Sequence, residues 1–152
     1  MKHLSAPLLL LSFILGGLTA CSSVPDMLSA GLRIELTNIQ RDSAGQVQVS
    51  WRLHNPNVVS YLFTKSTHKL TLDGTVVGTI TDDAPLGVPQ GSHGERTTTL
   101  VPSGGAAAAI DRALAQGSAS YRVDSTLWVL IVDDDTERIP LQASGSVPVT
   151  AK

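Results

Sequence analysis

The most regular pattern of apolar and polar residues in the chain runs from Val47 to His54. Every second residue is apolar, which is the period of a β-strand with one buried face and one solvent-facing face. Pro56 cannot donate a hydrogen bond to a sheet, and asparagine side chains readily bond the backbone at turns. The pattern therefore predicts a central strand that ends at Asn55-Pro56-Asn57. Its predicted buried face consists of Val47, Val49, Trp51 and Leu53.

A tight hairpin is predicted further along the chain. Asp73-Gly74 separates Lys69–Leu72 from Thr75–Ile80, and Asp-Gly between two β-prone segments is a strong signal for a two-residue turn. Gly78 interrupts the second arm and predicts a bulge or a close approach of another backbone. We therefore expect two antiparallel strands joined at residues 73 and 74.

Other segments also alternate or are rich in β-branched residues, and turn-forming residues separate them. A chain of 152 residues with about seven such strands is typical of one all-β domain. We expect an antiparallel β-sandwich of two sheets, with an irregular loop from Asp82 to Gly94. The further predicted strands are Leu32–Leu36, Glu95–Val101, Ser120–Val132 and Ile139–Ala143.

One short helix is expected near residues 105–116. Ala107, Ile110 and Leu114 share one face at helical spacing. Ser103 is in a position to cap the start of this helix, and Gly117 to end it. The predicted fold is thus an all-β domain with a single helix.

The strand predicted from Ser120 to Val132 becomes apolar on both faces towards its end. Trp128 and Leu130 lie on the second face, which indicates cover by a loop, a helix or a partner protein. Two interpretations stay open: packing within the domain, and a possible interaction surface formed by Trp128 and Leu130.

The first twenty residues differ in composition from the rest of the chain. Lys2 and His3 precede an apolar run from Leu8 to Leu15, and small residues follow from Gly16 to Ala20. This is the layout of a secretory signal, and the apolar run is shorter than the ~20 residues of a membrane-spanning helix. We expect residues 1–20 to be a signal peptide.

The single cysteine, Cys21, directly follows Leu18-Thr19-Ala20, and this string resembles the lipobox of bacterial lipoproteins. The resemblance implies cleavage before Cys21 and acylation of its thiol; the alternative is an ordinary signal with a lone cysteine. Ser22, where an aspartate would imply retention in the inner membrane, favours the periplasmic face of the outer membrane in a Gram-negative cell. Residues 21–31 would then be a lipidated tether to a domain spanning 32–149.

The surroundings of the Asn-Pro-Asn motif resemble a known family. An alternating strand, Asn55-Pro56-Asn57, an apolar stretch with Tyr61, Leu70–Gly74 and then Val77-Gly78 are similar to the WHy domain of the late embryogenesis abundant (LEA) type 2 family. The resemblance covers residues 32–149. It implies a fibronectin-III-like or immunoglobulin-like fold and a non-enzymatic role in desiccation or osmotic stress.

Composition and charge narrow the function further. A net charge of −2 argues against nucleic-acid binding, which needs a concentrated basic face. The histidines lie in no motif that pairs a nucleophile with a base, so we expect no enzyme and expect His54, His68 and His93 to face solvent.

No metal, cofactor or small-molecule substrate is expected either. Asp133-Asp134-Asp135 with Glu137 lacks the ligand spacing of a calcium loop, so a solvated hairpin turn is the preferred interpretation, as for Asp82-Asp83. Asn55 and Asn57 are expected to bond the backbone at the strand exit, with ligand contact as the alternative. The chain is thus expected to be a membrane-anchored protective lipoprotein; the alternative is an accessory subunit of an envelope secretion or transport complex.

Overall fold

The computed structural model describes residues 30–131 and 135–152, which form nine strands and one helix. The predicted signal peptide and most of the tether, including Cys21 and Ser22, lie outside the described residues, as do Asp133 and Asp134. In the described ranges, no helix has the length and apolar character needed to cross a membrane. The elements are β1 (Arg33–Arg41), β2 (Val47–Asn55), β3 (Tyr61–Leu72), β4 (Thr75–Asp82), β5 (Leu86–Val88), β6 (Ser92–Thr99), β7 (Val101–Pro102), α1 (Ala106–Gln116), β8 (Ser118–Leu130) and β9 (Thr136–Ala151).

The strands follow one hydrogen-bonded path in the order β6-β2-β1-β9-β8-β3-β4-β7, and β5 pairs with the start of β3. The pairs are antiparallel except β1 and β9, which run parallel over Ile39–Arg41 and Val149–Ala151. The prediction of an all-β fold with one short helix is confirmed. Two separate antiparallel sheets are not confirmed, because the parallel β1–β9 contact joins the strands into one curled, mixed sheet.

The curl brings the two halves of the sheet face to face. Trp51 on β2 and His68 on β3 have ring centroids 4.5 Å apart, although three strands separate β2 from β3 along the sheet. Alternate residues of β2 are buried between the halves, in the phase that the sequence predicts. Burying one large apolar side chain contributes about 1.5–3 kcal/mol, so this shared core is the main source of stability.

The hairpin between β3 and β4 turns at Asp73 and Gly74, whose φ angles are 44° and 79°. Two successive left-handed residues are the geometry of a type I′ turn, which matches the twist of antiparallel strands. Further along β4, a Cβ atom on Gly78 would clash with the carbonyl oxygen of Val101. The register of β3 and β4 also shifts opposite Gly78, so this glycine combines a bulge with a close backbone approach.

The helix departs from the sequence-based expectation at its start. Gly105 occupies the N-cap position, and the Ser103 hydroxyl donates instead to the carbonyl oxygen of Val76 on β4, at 2.7 Å. The prediction that Ser103 caps the helix is therefore wrong, because its hydroxyl fastens the preceding loop to the sheet. At the other end Gly117 adopts φ 72° and donates its N–H to Leu114, which ends the helix as expected.

The buried face of α1 also differs from the predicted one. Ala107 is exposed and Leu114 is only half-buried, whereas small residues pack against the sheet. A run of alanines gives little contrast between helix faces, so the apolar pattern could not select the right one. The buried residues are Ala106, Ala109, Ile110 and Ala113.

The described residues form nine strands where the sequence predicts about seven, and two short strands account for the difference. β5 lies inside the segment 82–94, which the sequence predicts to be an irregular loop, and β6 begins within it at Ser92, so the prediction is wrong for Leu86–Val88 and for residues 92–94. The predicted strand Glu95–Val101 is divided, because β6 pairs with β2 and the two residues of β7 pair with β4. A single segment thus contributes to both halves of the curled sheet.

Candidate functional site

The corner that follows β2 is built around a buried asparagine. Asn55 is 1% exposed, and its Nδ2 lies 2.8 Å from the carbonyl oxygen of Val59 and 3.1 Å from that of Pro89. Its Oδ1 accepts the backbone N–H of Asn57 at 3.0 Å. The Asn55 side chain therefore bonds two points of the 56–60 loop and also the neighbouring 89–91 loop. We call Asn55 with these two loops the Asn55 corner.

Asn57 and Pro56 connect the corner to the start of the domain. Asn57 donates from Nδ2 to the carbonyl oxygen of Ala30 at 2.9 Å and accepts the backbone N–H of Gly91 at 3.1 Å. A Cβ atom on Gly31 would lie 2.9 Å from Cγ of Pro56, so the backbone there approaches the proline closely. The chain thus enters the domain directly against the Asn55 corner.

The outer surface of this corner is apolar. Val58 is 87% exposed and Val59 is 51% exposed, next to the buried Asn55. Asn55 thus points inward and the two valines point outward, beside the exposed Ser60 and Gln90, which reverses the usual arrangement of a surface loop at these three positions. The hydrogen bonds of Asn55 make this reversal possible.

A cleft of about 480 Å³ opens beside the corner, where β1 and β9 separate. The two strands pair only at the end of β1, and towards Arg33 the gap is lined by Glu35 and His54 on one side and by Ser144 on the other. Tyr121 extends across the gap, and its hydroxyl oxygen accepts the N–H of Leu36 at 3.4 Å. The volume lies in the range of small-molecule pockets, and the lining is mixed in polarity.

Two exposed histidines lie side by side near this cleft. The rings of His54 on β2 and His93 on β6 are 5.7 Å apart, and each faces a carboxylate, Glu35 at 3.2 Å and Glu95 at 3.6 Å respectively. Both face solvent, as the sequence predicts. Within the described ranges, no group of three or more His, Cys, Asp or Glu residues is arranged to hold a metal ion.

His68 does not face solvent, so the prediction for this histidine is wrong. It is 1% exposed, with Nδ1 2.8 Å from Oγ of Ser125 and Nε2 2.9 Å from Oγ of Ser66. Burial lowers the pKa of His68 from 6.5 to about 4, against a smaller opposing effect of Asp82, so the ring is neutral at pH 7. Both serines are themselves buried, which closes this cluster to a substrate.

Trp128 lies half-buried in the middle of a cross-strand row. Its partner on β3 is Lys65 and its partner on β9 is Arg138. The Lys65 ammonium and the Arg138 guanidinium each lie 5.7 Å from the centroid of the indole ring, a distance at which cations are attracted to its face. Leu130 is also half-buried, further along the same face. In the described residues, two cationic side chains of the neighbouring strands thus flank Trp128, and the expectation of a loop, a helix or a partner protein over it stays a prediction.

The fold and the Asn55 corner together define a class of small β domain: one curled, mixed sheet with one helix, entered by the chain at a buried asparagine. No protein-family model and no curated protein matches the chain. Solved structures do resemble it.

The Arabidopsis thaliana protein AT1g01470 superimposes with a TM-score of 0.52 at 16% identity, over 79% of this chain and 80% of that one. This likeness shows a shared fold. A protein from Archaeoglobus fulgidus gives a TM-score of 0.47 at 12% identity, over 77% of this chain and 94% of that one. The protein At2g46140.1, described as of the late embryogenesis abundant type, gives 0.38 at 14% identity, over 82% and 74%.

Proposed function

We propose that this chain is a non-enzymatic lipoprotein of the LEA type 2 kind, anchored through Cys21, that protects the cell envelope during desiccation or osmotic stress. The observation that carries the proposal is the Asn55 corner. The motif on which the sequence resemblance depends, Asn55-Pro56-Asn57, forms a buried hydrogen-bonded hub.

The geometry of chain entry supports an anchored protein. Ala30 accepts a hydrogen bond from Asn57, and it lies nine positions after Cys21 in the sequence. A fully extended chain of that length reaches about 30 Å, so lipid on Cys21 would keep the domain beside the membrane. Ser22 favours the outer membrane of a Gram-negative cell.

The surroundings of the histidines support a role other than catalysis. Both ring nitrogens of His68 are occupied by buried serine hydroxyls, and its lowered pKa keeps the ring uncharged. His54 faces Glu35 on the neighbouring strand β1 and His93 faces Glu95 on its own strand β6, which is an arrangement of exposed polar contacts on the protein surface. Binding or shielding of envelope components requires none of these groups to react.

Two measurements test the proposal. Mass spectrometry of the protein isolated from membranes should show a diacylated N-terminus at Cys21, and an unmodified Cys21 would remove the anchor. Deletion of the gene should leave growth in rich medium unchanged but lower survival after drying or osmotic shock. The wild-type gene should restore survival, and Cys21→Ser, which cannot be lipidated, should not. Equal survival of the deletion strain would contradict the protective role.

A second candidate function is that of an accessory subunit of an envelope secretion or transport complex. β6 is the first strand of the hydrogen-bonded path, and within the described residues no strand pairs with its outer side. Such an edge can accept a strand from a partner, and the surface around Trp128 offers a further contact. A single stoichiometric partner captured from membranes with the wild-type protein and lost with Trp128→Ala would favour this role.

A further inference from the structure

The 56–60 loop exposes apolar surface at the point where the chain enters the domain. Val58 is 87% exposed and Val59 is 51% exposed, and the residue before them, Asn57, holds Ala30 through a 2.9 Å hydrogen bond. Lipid attached to Cys21 would therefore lie within about 30 Å of Ala30 even with the tether fully extended. The apolar loop is thus on the side of the molecule where the chain enters the domain.

Both loops of the Asn55 corner lack charged residues. The segments 55–64 and 84–92 contain no Asp, Glu, Lys or Arg, although these make up 16% of the chain. A charged side chain is costly to bring into the apolar part of a bilayer. The composition of this surface therefore permits close contact with lipid.

The polar backbone of the loop is bonded from the inside. Asn55 takes up the N–H of Asn57 and the carbonyl oxygen of Val59, and the N–H of Gly91 takes up the carbonyl oxygen of Asn57. Backbone groups without partners make contact with a low-dielectric medium unfavourable. These bonds remove part of that cost while the valine side chains remain free on the outside.

We infer that the 56–60 loop docks on the bilayer that holds the anchor, with Val58 and Val59 inserted among the lipid headgroups. The inference rests on the proposed anchoring at Cys21, which brings the loop to the membrane. Because the contact is apolar and these segments carry no charge, docking does not require anionic lipid.

The test places a tryptophan on the loop and supplies the anchor chemically. The chain from Cys21 onward keeps every described residue, and its single thiol is coupled to maleimide-phosphatidylethanolamine in phosphatidylcholine vesicles. Val58→Trp is compared with Val101→Trp, a matched control at another exposed valine (68%). The control site is about 25–30 Å from the 56–60 loop, because the two lie at opposite ends of β2. Leu100, next to Val101, donates its N–H to the carbonyl oxygen of Val47 at the start of that strand, and the loop follows its end.

Fluorescence in vesicles with and without doxyl-labelled phosphatidylcholine gives the readout. Emission of the wild-type protein, coupled in the same way, is subtracted to remove Trp51 and Trp128, and melting curves first establish that both variants fold. We expect Val58→Trp to shift to the blue and to be quenched by the doxyl lipid, at low and high salt alike. Val101→Trp should show neither effect.

Three outcomes would overturn the inference. They are equal quenching of the two variants, no quenching of Val58→Trp, and quenching that disappears at high salt. Absence of quenching of Val58→Trp would overturn the inference of membrane docking even if the loop binds a protein in cells. Because the coupling is chemical, a failure here leaves lipidation of Cys21 standing, and an unmodified Cys21 in cells would be detected by the separate mass measurement.

Discussion

Replacing Asn55 by alanine tests whether the corner stabilises the domain. Asn55 is 1% exposed, so water cannot freely replace its bonds to Val59, Pro89 and Asn57. A buried polar group that loses its partner costs about 1–3 kcal/mol, and part of this cost is recovered where the loop carbonyls reach solvent. We therefore expect Asn55→Ala to lower the free energy of unfolding by about 1–3 kcal/mol, which corresponds to a decrease of roughly 3–15 °C in Tm for a domain of this size.

The assay is thermal and urea unfolding followed by circular dichroism, with two comparison variants. Asn57→Ala removes an exposed bond to Ala30 and should cost less than Asn55→Ala. Asn55→Asp keeps the acceptor but replaces the donor with a charge that faces carbonyl oxygens, so it should be more destabilising than alanine at pH 7. A melting curve of Asn55→Ala identical to that of the wild type would refute the structural role of this residue.

Three other predictions concern separate parts of the chain. Gly78→Ala should lower the free energy of unfolding by about 1–3 kcal/mol, since its Cβ would meet the carbonyl oxygen of Val101. Gly74→Ala meets only the strain of a positive φ and should lower it by about 1 kcal/mol. Equal losses of the two variants in urea unfolding would contradict this prediction. The pKa of His68 is lowered in the folded state, so its contribution to stability is complete above pH 6.5 and is lost as the pH falls towards 4. The free energy of unfolding should decrease by about 3 kcal/mol over this range, and His68→Phe should flatten this part of the pH–stability curve. Ser22→Asp should move the lipoprotein from the outer to the inner membrane fraction on a density gradient of Gram-negative envelopes, and unchanged sedimentation would argue against sorting by this residue.

Local signals in the sequence are enough to place the central strand and the hairpin. Val47 to His54 alternates without interruption, and Asp73-Gly74 is one of the few dipeptides that readily adopts two left-handed conformations in succession. The Asn55 corner was located correctly for the same reason, because a proline between asparagines ends a strand. Its network could not be predicted, since Pro89 lies more than thirty residues away from Asn55 in the sequence.

The burial of His68 follows the alternation of β3 and not the polarity of its own side chain. The register of β3 shifts between Phe63 and Lys65, so the alternation does not continue through the strand. Counting back from Leu72 and Leu70 in steps of two would have placed His68 on the buried face. The phase of the strand, and not the polar character of histidine, therefore indicates the burial of His68.

The overall arrangement of the sheet depends on contacts between distant segments. The parallel pairing of Ile39–Arg41 with Val149–Ala151 joins the two ends of the domain, and no local pattern in either segment specifies the direction of the partner. The sequence therefore favoured two antiparallel sheets. β1 and β9 do not pair near Arg33, and the cleft beside the Asn55 corner opens there. The cleft therefore also depends on a contact that local patterns do not reveal.

The Asn55 corner reverses the usual distribution of polarity, and this reversal connects its structural and proposed functional roles. Burial of an asparagine opposes folding, and two valines left exposed add little to stability, so selection for stability alone would not favour the combination. The hydrogen bonds of Asn55 offset the cost of its burial by holding two loops together. The valines would gain free energy only if they left water, as they would in contact with a bilayer. In this arrangement Asn55 would fix the conformation of the 56–60 loop. Val58 and Val59 would then contact the bilayer on the side where the chain enters the domain.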